Sequence, residues 1–219
     1  MNRYAISDIH GCFFSFREIL NKINFSKNDE LYLLGDYINK GPRSKEVIDF
    51  IIELQNQGYK ITTLRGNHEQ ILLDSINKRN RIEGLRETLD SFKINNIREL
   101  GDKYINWFYN LKYFHETQDF IFVHAGFNFN KPNPLSSKRD MLWMREWYHA
   151  INYNWLKSKK IIHGHTPTTK NQIQKMLKNI HKIQVLAIDN GCVIQQQGYG
   201  SLCCLELNKL NLVFQENID

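Results

Sequence analysis

A chain of 219 residues, 42% hydrophobic and 24% charged, is long enough to bury one proper core, and it shows neither a disordered composition nor a repeat at solenoid periods. No apolar run approaches membrane-spanning length and the amino-terminal MNRYAISDIHG leaves no room for a signal stretch, so a cytoplasmic protein without a membrane partner is expected. The formal charge of +6 is uneven: residues 131–182 hold eleven Lys or Arg against Asp140 and Glu146, which reads as a solvated basic face rather than a dedicated nucleic-acid surface, or more sharply as a field that draws in an anionic substrate.

In chain order, short β-branched and apolar runs predict strands near 3–7, 31–35 and 60–65. Between the first two, Phe16, Ile19, Leu20 and Ile23 fall on one helical face; between the second pair Val47, Ile48, Ile51 and Leu54 do so behind Ser44, an expected N-cap. Residues 70–118 are helical and charge-rich and are expected to form a cap-like insertion within a single domain, 1–219; residues 140–150 are expected to add a helix. The runs IFVHAG, KKIIHGHT, VLAIDNG, GSLCCLEL and LNLVFQ predict five further strands. The fold class is therefore layered α/β. Cys12, Cys192, Cys203 and Cys204 lack paired metal-ligand spacing and read as reduced structural thiols.

Polar motifs fall where such strands end, the place at which open α/β sheets collect ligands. Asp8 and His10 follow the first strand, GDYINKGP the second, RGNHE the third, and VHAG and HGHTP two later ones. A carboxylate and an imidazole two residues apart on an extended segment point to one side and can bind one cation together. One Asp-x-His pair is weak evidence, and a lone His at a strand end is usually a core or surface residue. Five strand ends that each offer Asp, His or Asn beside Gly are a much stronger signal.

These motifs, DIHG, GDYxxxGP, GNHE, VHAG and GHTP in that order, resemble the calcineurin-like metallophosphoesterases of the serine/threonine protein phosphatase type, especially small bacterial and bacteriophage lambda-like members. The resemblance covers nearly the whole chain and implies a central β-sandwich flanked by helices. It assigns one metal to Asp8, His10 and Asp36 and a second to Asp36, Asn67, His124 and His165. It implies two divalent ions, Mn²⁺ first and Fe or Zn²⁺ next, since oxygen and imidazole donors suit these better than Ca²⁺. His163, before Gly164, is expected to remain a strand residue near the site.

The activity implied is direct attack on a phosphomonoester by a metal-activated hydroxide, so that no protein nucleophile is needed. Cys12 is accordingly a poor candidate for a phosphocysteine enzyme. His68 resembles the general acid, and Arg145, Lys40 and Asn67 the groups that hold substrate phosphate. Two positions depart from the family: Asn39 stands where an Asp normally assists the catalytic His, and Lys40 where an Arg normally makes a bidentate contact. Loss of that negative charge favours anhydrides or activated esters over phosphoserine. The expected substrate is a phosphorylated protein or a small phosphate compound, with the protein phosphatase reading first. The alternatives are a dinucleoside polyphosphate hydrolase, which would need a larger base pocket, and a weakly active or non-catalytic phosphate-binding regulatory module.

Overall fold

A computed structural model describes residues 1–77 and 84–219. The strands are β1 Arg3–Ile6, β2 Glu30–Leu33, β3 Lys60–Thr63, β4 Phe114–Glu116, β5 Phe120–Val123, β6 Lys160–His163, β7 Val185–Ala187, β8 Ser201–Glu206 and β9 Asn211–Glu216. The helices are α1 Phe13–Lys22, α2 Ser44–Asn56, α3 Asn67–Asn77, α4 Arg86–Phe92, α5 Asp102–Tyr109, α6 Lys138–Trp143, α7 Tyr153–Leu156, α8 Lys170–Lys178 and α9 Ile180–Ile183. Among the described residues no helix is long and apolar enough to cross a membrane.

The strands form two sheets, β3-β2-β1-β8-β9 and β4-β5-β6-β7. Strands β1, β2 and β3 run parallel, as do β5, β6 and β7, while β4, β8 and β9 join antiparallel. Alternation of side chains across each strand builds three apolar layers. Ala5, Tyr32, Cys203 and Leu205 meet Phe120, Phe122, Ile162 and Leu186 between the sheets. Ile6, Leu31, Leu33 and Cys204 turn outward beneath α1 and α2, and Ile121, Val123 and Ile161 pack against Phe127, Met141 and Trp147. Each fully buried aliphatic or aromatic side chain here contributes roughly 1.5–3 kcal/mol. Two sheets flanked by helices match the architecture expected.

The apolar faces of α1 and α2 are those the periodicity indicates. Ser44, however, is the first helical residue rather than the N-cap; its hydroxyl accepts from the Asn39 N–H at 3.1 Å, so it serves the preceding loop instead of the helix end. Within the stretch 70–118, Leu72, Leu89, Phe92 and Phe108 join the same core layer as α1 and α2, and Phe114–Glu116 pairs with β5. Residues 78–83 of that helical expectation lie outside the described residues. All four cysteines are buried and free.

Candidate metal centre

The centre is assembled at the carboxyl ends of β1, β2, β3, β5 and β6, where the chain turns sharply. Asp8, His10, Asp36, Asn39, Lys40 and His165 all take φ between 45° and 69°. That left-handed conformation costs a non-glycine residue roughly 1–3 kcal/mol and persists only where the surroundings enforce it. Part of the enforcement is close approach: a Cβ on Gly164 would lie 2.0 Å from Asp8 Oδ2, and one on Gly66 2.1 Å from Asp36 Oδ1. Glu69, fully buried, supplies another part. Its carboxylate accepts from the N–H groups of Asp36 at 2.9 Å, Tyr37 at 2.8 Å and Gly66 at 2.8 Å, fixing the second motif on the third.

Asp36 lies at the middle. Its Oδ2 is 3.6 Å from His10 Nε2, 3.5 Å from His124 Nε2 and 3.9 Å from His68 Nε2, while Oδ1 accepts from the His68 N–H at 3.0 Å. Asn67 Oδ1 is 2.8 Å from His124 Nε2 and 2.9 Å from His165 Nδ1. Two groups, His10 with Asp36 and His68, and Asp36 with His124 and His165, keep their ligand atoms within 4.8 Å of one another. Asp8 stands beside them, both oxygens accepting from the His165 N–H at 3.1 Å.

The donor chemistry fits divalent cations. His124 gives its Nδ1 proton to the Leu34 carbonyl at 3.0 Å, so the neutral ring turns a lone pair toward Asn67 Oδ1 and two acceptors face each other. The Nε2 of His165 is buried with no hydrogen-bond partner. Burial, reinforced by Asp36, pushes Asp8 up to about 8; burial raises Asp36 to about 7. Burial and neighbouring positive groups push His165 down to about 2, and burial takes His124 down to about 3. A pocket that resists both carboxylate charge and imidazolium charge is relieved by cations bound among these atoms.

The expected acid and phosphate-holding groups lie close by. Asn39 donates through Nδ2 to His68 Nδ1 at 2.8 Å. Its amide is oriented from behind by Thr88, whose hydroxyl donates to Asn39 Oδ1 and accepts from the Asn39 N–H at 3.1 Å. His68 thereby holds its proton on Nε2, the nitrogen facing Asp36. Burial, then the charge of Lys40, lowers His68 to about 3. Lys40 Nζ donates to His10 Nε2 at 2.8 Å, directly against the metal-ligand set. Arg145 is exposed and donates to Thr166 Oγ1 at 3.1 Å, one residue beyond His165. His163 commits both nitrogens elsewhere, to the Gly164 carbonyl at 3.0 Å and the Tyr148 hydroxyl at 2.6 Å.

Sequence reasoning did not single out Glu69, Thr88 or Asp189. Glu69 had a signal, as the last residue of GNHE, and Asp189 had one at a strand end in AIDNG. Buried Asp189 accepts from the Gly191 N–H at 2.7 Å and interacts electrostatically with Asp8. Thr88 had none, because it lies 49 residues from its partner.

A family profile described as calcineurin-like phosphoesterase matches residues 1–190. A symmetrical bis(5'-nucleosyl)-tetraphosphatase of Nitrosospira multiformis is 33% identical over 126 residues, covering 56% of this chain and 42% of that protein. The corresponding Proteus mirabilis protein is 34% identical over 132 residues, 58% of this chain and 45% of its own length. The chain thus spans less than half the length of the curated relatives it matches. Two solved structures share the fold: a protein assigned as a diadenosine tetraphosphatase, with TM-score 0.72, 18% identity and coverage of 100% and 94%, and a serine/threonine phosphatase of Saccharomyces cerevisiae, with TM-score 0.70, 16% identity and coverage of 100% and 81%.

Proposed function

Because this chain belongs to the calcineurin-like phosphoesterase family, we propose that it is a metal-dependent phosphohydrolase whose preferred substrates are dinucleoside tetraphosphates, cleaved at the central anhydride to two nucleoside diphosphates. The observation that carries the substrate choice is the neutral amide of Asn39 on His68. A serine alkoxide leaving group needs strong protonation, which an imidazolium backed by a carboxylate supplies. A nucleoside diphosphate is a far weaker base and leaves with little help. The Nitrosospira multiformis and Proteus mirabilis relatives, each aligned over more than half of this chain, are tetraphosphatases, which supports the same reading over the protein phosphatase suggested by the motifs.

In this reading Asp8, His10 and Asp36 hold one divalent cation, and Asp36, Asn67, His124 and His165 the other, with Mn²⁺ the first candidate. When bound, such cations lower the pKa of a shared water and neutralise charge on the phosphoryl oxygens. His68 donates from Nε2 toward the departing oxygen, oriented by Asn39. Arg145 binds a phosphate of the chain with its fork of N–H donors. Lys40 adds a point charge where a bidentate grip is absent, so phosphate is held more loosely.

The test is a substrate panel on chelated protein to which Mn²⁺ is returned. The expected result is a kcat/KM for diadenosine tetraphosphate at least about tenfold above that for a phosphoserine peptide, lost in Asp36→Asn. Preference for the phosphopeptide restores the protein phosphatase reading. Tight phosphopeptide binding without turnover of any substrate establishes the binding-module alternative.

A further inference from the structure

A cavity of about 650 Å³ opens beside the metal centre, bounded by Arg145, Tyr148, His163, Pro167, Met176 and Tyr199. Its size lies within the range of small-molecule sites. Arg145 stands on the border: it bonds Thr166 next to His165, and its charge reaches Asp36.

The cavity differs in chemistry from the centre it adjoins. Its lining residues include Tyr148, 43% exposed, and Met176 from α8. The Tyr148 ring is held in place. His163 must give its Nδ1 proton to the Gly164 carbonyl, which can only accept, so its Nε2 accepts the Tyr148 O–H at 2.6 Å. Trp147 packs edge-on against Tyr148 with ring centroids 5.0 Å apart and is itself anchored by Nε1–H donation to the Ala125 carbonyl at 3.1 Å. Lys175 adds a positive charge to the rim.

We propose that this cavity is the nucleoside subsite, in which a base carried by the phosphate chain stacks on Tyr148 and packs against Met176, with Arg145 and Lys175 on the phosphates between it and the metals. An anchored aromatic face, a polarisable sulfur and flanking cations suit a planar base joined to an anionic chain. His163 is thereby a positioning residue for Tyr148, which accounts for a histidine so close to the ligands that faces away from them. This inference rests on the dinucleotide reading.

The experiment compares KM for diadenosine tetraphosphate with KM for inorganic tripolyphosphate, using Mn²⁺-loaded protein and the variants Tyr148→Ala and Met176→Trp. The first removes the stacking face; the second fills the cavity from the helix. Each is expected to raise the dinucleotide KM about tenfold more than the tripolyphosphate KM, the scale of one lost base–aromatic contact. Parallel changes for the two substrates, or no change, overturn the proposal. So does a selective effect on a phosphotyrosine peptide with none on the dinucleotide, which would make the cavity a peptide side-chain pocket. If no polyphosphate is hydrolysed, the proposed function fails separately, and calorimetry with adenosine decides the cavity: saturable binding that Met176→Trp removes sustains it, and no binding refutes it.

Discussion

Asn39→Asp replaces an amide by a carboxylate of the same shape while leaving the Thr88 hydroxyl a partner to donate to. The new oxygen would lie where Asn39 Nδ2 now sits, 2.8 Å from His68 Nδ1. It cannot donate, so the His68 proton must move to Nδ1, and the charged ring is stabilised relative to the neutral one. A unit charge pair about 4 Å apart is worth roughly 4 kcal/mol at an effective dielectric constant of 20. His68 is 18% exposed, and Lys40 opposes the gain, so about 2 kcal/mol, or ~1.5 pKa units upward, is the expected net change. Because the shift is upward, the imidazolium persists to higher pH, and the falling limb of kcat for an ester substrate moves the same way. Steady-state kinetics on a phosphoserine peptide, an aryl phosphate and diadenosine tetraphosphate, all with one metal, give the readout. The phosphoserine rate should rise about tenfold or more and the anhydride rate by less than about threefold. Equal factors on all three would refute the idea that leaving-group protonation separates them.

Gly164→Ala would place a Cβ 2.0 Å from Asp8 Oδ2 and 2.7 Å from Ser7 Oγ; Mn²⁺ affinity by calorimetry should drop at least about tenfold, and wild-type affinity would show that the loop yields freely. Glu69→Gln puts an amide where three backbone N–H groups now find a carboxylate and should cost about 1–3 kcal/mol in denaturant unfolding. The pH dependence of the chelated protein follows from the buried acids. Burial and Asp36 place Asp8 and Glu69 at about 8, and burial places Asp36 at about 7. The unfolded chain releases these protons near pH 4, so the folded state binds more of them above that pH, and their stabilisation declines steadily until it is gone above 7–8. The lowered histidines act in the opposite sense, but only below the ordinary imidazole value of about 6.5. Tm in chelator should therefore fall between pH 6.5 and 8.5, and Mn²⁺ should remove the fall; a flat or rising Tm in chelator would contradict it.

Much of this was legible because the parallel strands advertise themselves. Tyr4-Ala5-Ile6 and Leu31-Tyr32-Leu33 fill opposite faces in alternation, and each leads directly into its polar motif. The ligand types could be read from those motifs; the backbone that presents them could not. Nothing in the residue identities of Asp8 or His165 requires positive φ, a property imposed by contacts such as Asp8 with the His165 N–H across 157 positions. Ser44 carried an N-cap signature, yet tertiary demand from Asn39 took its hydroxyl. Arg65 opens the third motif, RGNHE, but does not serve the metal centre. Its guanidinium instead donates to the Phe108 and Tyr109 carbonyls and to Tyr113, binding α5 to the loop.

The two sheets contribute unequally to the centre: Asp8, His10, Asp36 and Asn67 follow strands of one, His124 and His165 those of the other. Between them lies an apolar layer that resists separation but has little directional preference against sliding. Cations bound across that boundary would act as rivets, turning shear between the layers into stretched coordination bonds. Loss of metal would then release a relative motion of whole sheets while leaving each sheet's own hydrogen-bond ladder intact, so the molecule would loosen along its seam before it melted.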